Sequence, residues 1–271
     1  PRVPEREVRG PDPAPTWEVP TSARDTLRIG SNRVDSVLSA VVYPGVFWNL
    51  VQDVDQDGAD EPVLVARRPG IDNELLRFAA DGTLTATWPL REDTRWSDGE
   101  PLTSADVRFG HALWESDHVT AVDTPDPETV VYHWDGRLAA ALDSPEATPH
   151  HHLGDLFEVE GRDAVLDRLR HSRTPSLGPY RLAEVTPGER FRVEPNPHFV
   201  GPAPAIAEVH ELHYEAGDLV RAFLDGEIDI TIPNGITMEE ALAVRETHPE
   251  SVHIRPSAAY LFLEPDLSVA P

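Results

Sequence analysis

From Leu27 to about Glu250 the chain keeps switching between two hydrophobic periods, and that alternation limits the folds open to it. Runs such as "TLRIGSN" (26–32), "NELLRFAADGTLTATWPLR" (73–91), "ETVVYHW" (128–134), "GPYRLAEVT" (178–186) and "RFRVEPNP" (190–197) read as strands. "EPVLVARR" (61–68) reads the same way. Turn signals stand between them at Asp81-Gly82, Asp126-Pro127 and Pro187-Gly188. "SADVRFGHALWES" (104–116), "GRDAVLDRLRHS" (161–172) and "TMEEALAVRETHPE" (237–250) carry the spacing of amphipathic helices, and "GDLVRAFLDGEIDITIP" (217–233) reads helix, turn, strand. Residues 35–54, "DSVLSAVVYPGVFWNLVQDV", are compatible with a helix interrupted at Pro44-Gly45. Strands and helices interleave irregularly, so the expectation is a mixed α/β protein rather than a repeat or a barrel.

Ahead of this body, residues 1–26 open with six prolines in the first twenty positions and a run of charges without periodicity. They read as an extended arm. The chain opens on Pro1 rather than Met, the pattern of a processed form, with which a removed export signal or a lipidated cysteine upstream is compatible.

Composition removes several functions. With 23 Lys and Arg against 48 Asp and Glu, the net charge of −25 repels phosphate backbones and anionic lipid surfaces, so nucleic acid and membrane surfaces are poor partners. No window approaches the length of apolar sequence that spans a bilayer. There is no cysteine, which removes disulfides, thiolate metal sites and a cysteine nucleophile. The sequence holds no GxSxG, SxxK, Walker or GxGxxG motif, and the expectation is a protein that is not an enzyme.

One stretch invites a metal. In "DVDQDGADE", Asp53, Asp55, Asp57, Gly58 and Glu61 match the early positions of a calcium loop, which gathers hard oxygen ligands around a sharp glycine turn. Leu64 stands where an EF-hand needs its bidentate Glu, which excludes that sensor. A shorter structural calcium loop and a solvated acidic turn both remain. His150-His151-His152 and the pair His210 and His213 could supply imidazoles, but 210 and 213 lie in a strand-like run and point to opposite faces, so surface or packed histidines are the reading.

Four segments, taken in order, carry a resemblance. "WPLREDTRWSDGEPLTSADVRFGHAL" (88–113), "VDTPDPETVVYHW" (122–134) with "ATPHHHL" (147–153), "SLGPYRLAEVTPGERFRVEPNPHFVGPAPAIAEV" (176–209) and "AFLDGEIDI" (222–230) resemble the signature segments of the family 5 extracytoplasmic solute-binding proteins, the peptide and nickel receptors of ATP-driven importers. Departures accompany the match. Leu177 replaces the usual Thr before Gly178-Pro179-Tyr180, the aromatic after Asn196-Pro197 is displaced to Phe199, and Glu264 takes the place of an Asn.

The resemblance implies an α/β architecture of the periplasmic-binding-protein type (class II, cluster C). Residues 27–271 would form a mixed-sheet lobe, with approximately 50–150 inserted as a smaller α+β subdomain and the second lobe missing. It implies capture of a peptide or similar small solute outside the cytoplasm, in the periplasm or at the cell surface, for delivery to an ABC importer permease, with no certain cofactor. On physical grounds Ser31, Asn32 and Arg33 at the end of the first strand line the expected half-cleft, and the aromatic residues Tyr43, Trp48 and Tyr260 add contact. Trp96, Asp98, Gly99, Gly178, Pro179 and Tyr180 read as structural. The alternative is an interaction or scaffold protein that keeps the fold without a complete cleft.

Overall fold

The computed structural model describes residues 25–32, 36–39, 46–52, 61–114, 118–135, 145–232 and 235–253. The strands are β1 (Thr26–Ser31), β2 (Val51–Gln52), β3 (Glu61–Pro62), β4 (Leu76–Phe78), β5 (Leu84–Pro89), β6 (Val119–Asp126) and β7 (Thr129–Trp134), followed by β8 (Tyr180–Thr186), β9 (Arg190–Pro195), β10 (Glu208–His213) and β11 (Ile230–Thr231). The helices are α1 (Ser104–Leu113), α2 (His150–Glu160), α3 (Arg162–His171), α4 (Leu219–Leu224) and α5 (Met238–Thr247). Both periods read from the sequence are therefore present, and the fold is mixed α/β.

The larger sheet runs β11-β1-β10-β9-β8. β1 lies parallel to both β10 and β11, whereas β10, β9 and β8 are antiparallel. Two parallel strands cannot be joined by a tight turn. Here α4 makes the crossing from β10 to β11, and Gly30 on β1 is what lets it sit close: a Cβ there would overlap the side chains of Ile228 and Leu219. The other face of the sheet buries Ile29, Leu182, Phe191, Val193 and Val209 against Val37 and Val46.

Between β1 and β8 in the chain lies a second, antiparallel sheet in the order β4-β5-β7-β6. Its alternation is strict: Leu84, Ala86 and Trp88 of β5 and Val130, Tyr132 and Trp134 of β7 are buried on one face. That face closes over Trp48, Leu50, Val63, Leu64, Val65, Trp96 and Leu177. The two sheets are tied where two of the signature segments meet. Ser97 N–H donates to the Ser176 carbonyl (2.9 Å), Ser176 N–H donates back to Ser97 Oγ (3.1 Å), and Gly178 N–H donates to the Val46 carbonyl (2.9 Å). Trp96 is buried, Gly99 adopts φ +95°, and Asp98 Oδ1 accepts the Glu100 N–H (3.3 Å), all consistent with the structural roles read for this turn. Asn196 closes the far side by donating from Nδ2 to the Gly178 carbonyl (3.0 Å).

Three expectations need correction. Past Val46, residues 47–52 are not helical: Trp48 and Leu50 are buried while Phe47 and Asn49 are only partly so, a period of two that ends in β2. Helical spacing was the wrong period for this part of the run. In "EPVLVARR" only Glu61–Pro62 is strand, because Val63, Leu64 and Val65 are all buried in succession and so cannot alternate between two faces. α2 was not expected as a helix at all. Its apolar stripe is short, Leu153 with Leu156 and Phe157 packed on the core shared with α1 and α3, and it begins only after three histidines. Its first turn is held by a tertiary contact, the His150 N–H to Asp106 Oδ1 (2.8 Å).

Candidate functional site

Open α/β sheets bind ligands beyond the carboxyl ends of their parallel strands. In this sheet that edge is formed by Ser31 and His213, register partners on β1 and β10, with the Tyr214 N–H donating to the Ser31 carbonyl (2.8 Å). Ser31 is completely buried. Asn32 Oδ1 and His213 Nδ1 are buried at the same edge without a hydrogen-bond partner among the described residues.

Past that edge the chain makes a short 3-10 turn, Val37–Ser39, and then returns at Val46. Leu38 of this turn, together with Phe47, Trp48 and Asn49, lines a pocket. The same pocket is lined by Trp114 at the carboxyl end of α1, the segment Glu146–Pro149, and Trp96, Leu169 and Leu177. The free volume is about 30 Å³. At roughly 10–15 Å³ per water that is room for about two water-sized groups.

The position of Glu146 follows from a glycine. Gly110 on α1 allows the helix to approach the backbone of 146–148, since a Cβ there would stand 3.0 Å from the Glu146 carbonyl carbon and nearer still to its oxygen. The Thr148 N–H donates to the Asp106 carbonyl (3.1 Å), which pins the segment at its other end. Glu146 is mostly withdrawn from water, and burial pushes its carboxyl pKa up from the ordinary glutamate value. No hydrogen bond or cation among the described residues offsets that burial, which is the sole cause of the shift. Trp96, 1% exposed, has an indole N–H that is equally without an acceptor among the described residues. The pocket thus joins a partly buried acid, an indole donor without an acceptor among the described residues, and aromatic side chains.

A second cleft, of about 140 Å³, is bordered by Glu100, Pro101, Thr103, Ala105, Asp106, His150 and His151. It is larger, but its polar groups are already engaged. Asp106 accepts from Thr103 N–H (2.9 Å) and Thr103 Oγ1 (3.1 Å) as well as from His150, and His151 Nε2 lies 2.9 Å from Asp98 Oδ2. On the outer face of the four-stranded sheet, Thr85 Oγ1 is 3.4 Å from His133 Nδ1 and His133 Nε2 is 3.0 Å from Asp123 Oδ2. The order hydroxyl, imidazole, carboxylate has the composition of a nucleophile triad. The three groups lie on an exposed surface outside both clefts, so the arrangement reads as cross-strand pairing.

Of the residues expected at the site, Ser31 and Asn32 are at the strand edge and Trp48 is in the pocket wall, packed edge-on against Phe199 with ring centroids 5.0 Å apart. Arg33, Tyr43 and Tyr260 lie outside the described residues, as do Asp53, Asp55 and Asp57 of the acidic stretch. Glu61 is half-buried in β3. Among the described residues no group of three or more His, Asp or Glu side chains is placed to hold a metal ion. Trp114 and Glu146 were not anticipated. Glu146 is one of 48 acids, and only the close approach at Gly110 singles it out.

Comparison with known proteins decides the family. Residues 77–271 match the model for "Bacterial extracellular solute-binding proteins, family 5 Middle". The chain belongs to this family. Among solved structures, this family 5 protein is similar to the oligopeptide-binding protein of Thermus thermophilus complexed with a pentapeptide (TM-score 0.70, 19% identity, covering 80% of this chain and 46% of that one). It is also similar to NikZ of Campylobacter jejuni in complex with Ni(L-His) (TM-score 0.64, 20% identity, covering 83% and 46%). Both likenesses bear on the fold. Among curated proteins it is similar to Protein XP55 of Streptomyces lividans, 29% identical over 230 residues, 77% of this chain and 39% of that protein. The chain therefore spans less than half the length of each of these relatives. Among the described residues no helix is long and apolar enough to cross a membrane.

Proposed function

We propose that this family 5 protein binds a peptide or similar small solute outside the cytoplasm and presents it to the permease of an ABC importer. The observation that carries this reading is the pocket lined by Phe47, Trp48, Trp114 and Glu146, where the Trp96 indole N–H has no acceptor among the described residues and the Glu146 carboxyl is partly buried. A binding site needs such convergent, uncommitted polar groups in an apolar surround. Family membership supports the same reading, and no chemistry beyond binding is called for. Asn32 and Trp48 are proposed solute contacts together with Ser31, Arg33, Tyr43 and Tyr260.

We further propose that residues 27–271 form one lobe with approximately 50–150 as its inserted subdomain, preceded by the arm 1–26. The four-stranded sheet that interrupts the chain between β1 and β8 supports this division. The acidic stretch Asp53, Asp55, Asp57 and Glu61 is proposed as an elaborated turn, with a structural calcium loop as its alternative.

One observation favours the second reading, an interaction or scaffold protein. The pocket of about 30 Å³ is far below the roughly 300–1,000 Å³ of an enclosing ligand site. Thermal unfolding with and without a mixed library of short peptides separates the two readings. A ligand that binds only the folded state raises the midpoint, by about 2.7 kcal/mol of stability at a hundredfold excess over Kd. A library that leaves the midpoint unmoved at millimolar concentration favours the scaffold.

A further inference from the structure

Among the five helices, α5 is the one least anchored by apolar contact. Its single buried residue is Val244, while Met238 and Leu242 are 59% and 47% exposed. By comparison α3, of the same length, buries Val165, Leu166 and Leu169. The capping box of α5 holds the helix from within. Thr237 N–H donates to Glu240 Oε2 (2.7 Å) and Glu240 N–H donates to Thr237 Oγ1 (3.2 Å), and neither bond ties α5 to another element. Charge opposes what seating remains. Glu239, Glu240 and Glu246 on the helix, with Glu250 on the adjoining 3-10 turn Pro249–Ser251, are matched by one arginine, Arg245. Glu246 stands in the last turn, where the helix dipole disfavours an anion. A helix with so few buried contacts belongs to the low-stability end of a fold, where a small change in electrostatics decides whether it is docked.

The rest of the molecule adds to this repulsion. The sequence has no lysine, and its 23 arginines stand against 48 acids, an excess of 25 negative charges. Arginines are drawn into local pairs, three of them on β8 and β9: Arg181 Nη2 donates to Glu194 Oε1 (2.7 Å), Arg190 Nε to Glu184 Oε1 (2.9 Å) and Arg192 Nη1 to Glu208 Oε1 (3.3 Å). Pairs as exposed as these contribute little, so screening them costs little. The acidic excess behaves differently, because a compact chain holds it closer together than an unfolded one. At about 0.01 M salt the screening length is roughly 30 Å, longer than the roughly 18 Å radius of gyration of a compact chain of this length, and the excess repels across the whole molecule. At about 1 M it is roughly 3 Å, and only immediate neighbours are felt. We propose that ionic strength controls the seating of α5: salt docks the helix, and it is released as salt falls, because the acidic excess then outweighs its one buried apolar contact. This stands apart from the solute-binding reading and does not depend on it.

The test is amide hydrogen exchange of the 271-residue chain in sodium chloride from about 0.01 M to about 1 M, read by mass spectrometry on peptides that cover α5 and on peptides that cover β5 and β7. The expected result is exchange in α5 slowed by roughly tenfold or more over that range, most of it below about 0.3 M, with β5 and β7 changed far less. A double variant, Glu246→Gln with Glu250→Gln, should be protected in α5 already at low salt and should lose most of the salt response. Val244→Ala should exchange faster in α5 at every salt concentration, and circular dichroism confirms that each variant is folded. Exchange in α5 that is indifferent to salt, or faster in high salt, overturns the inference. An equal slowing in β5 and β7 also overturns it, since the effect would then belong to the whole fold, and so does a double variant that keeps the full response.

Discussion

Replacing Gly110 by alanine tests the close approach that sets the pocket. Inside a helix this exchange ordinarily gains about 1 kcal/mol, because alanine restricts the unfolded chain and glycine does not. In α1 the added Cβ would stand 3.0 Å from the Glu146 carbonyl carbon and 3.4 Å from the Thr148 nitrogen. Those are backbone atoms of a segment fixed by the Thr148 N–H to Asp106 bond (3.1 Å) and the Leu50 N–H to Pro145 bond (3.5 Å), so the neighbour has little freedom to yield. Overpacking of this kind reaches about 3 kcal/mol. Subtracting the helix gain leaves a net loss of about 2 kcal/mol, which for a chain of this size lowers the midpoint by about 4–8 °C. Gly154→Ala in α2 is the control, because the nearest atoms there belong to the His150 side chain rather than to backbone. It should leave the midpoint within about 3 °C of wild type. Thermal unfolding of both variants is the assay. A Gly110→Ala protein as stable as wild type, or more so, would refute the claim that backbone contact at this glycine positions Glu146.

Three further outcomes are expected. Ser97→Ala leaves the buried Ser176 N–H without its acceptor, so urea denaturation should show a loss of about 1–3 kcal/mol, and an unchanged midpoint would mean that the tie between the two signature segments is not structural. For Glu146 the folded-state pKa lies above the unfolded one, so its contribution to stability is fully present below the unfolded glutamate range and is lost as pH rises through the raised value. Glu146→Gln should therefore become progressively more stable than wild type as pH rises through that window, in unfolding curves taken from acid to neutral pH; a difference that does not vary with pH would contradict the burial of this carboxyl. Calcium against chelator should not move the midpoint, in keeping with an acidic turn at 53–61, and a calcium-dependent rise would reassign those residues as a metal loop.

Where the two hydrophobic periods were clean, the fold was legible in the sequence. The Pro187-Gly188 hairpin of β8 and β9, the β5 and β7 pair, α1, α3, α5 and the helix-turn-strand from α4 to β11 all lie where spacing and turn residues put them. Legibility failed where tertiary contact overrides local pattern. Trp48 and Leu50 alternate with their neighbours only because they enter a core shared with distant strands, and α2 begins where Asp106, far away in the chain, captures the His150 N–H. The strand edge at Ser31 and Asn32 could be read from the end of the first alternating run. Glu146 could not, since its pocket is assembled from α1, the 3-10 turn, 47–49 and the segment that carries Leu177, which no single stretch contains.

The most direct test of the central claim is a crystal structure of this chain grown with the short peptide that shifts its unfolding midpoint most. The account requires density for that solute in the pocket lined by Trp48, Trp114 and Glu146. A solute seated elsewhere, with this pocket holding only water, would contradict it.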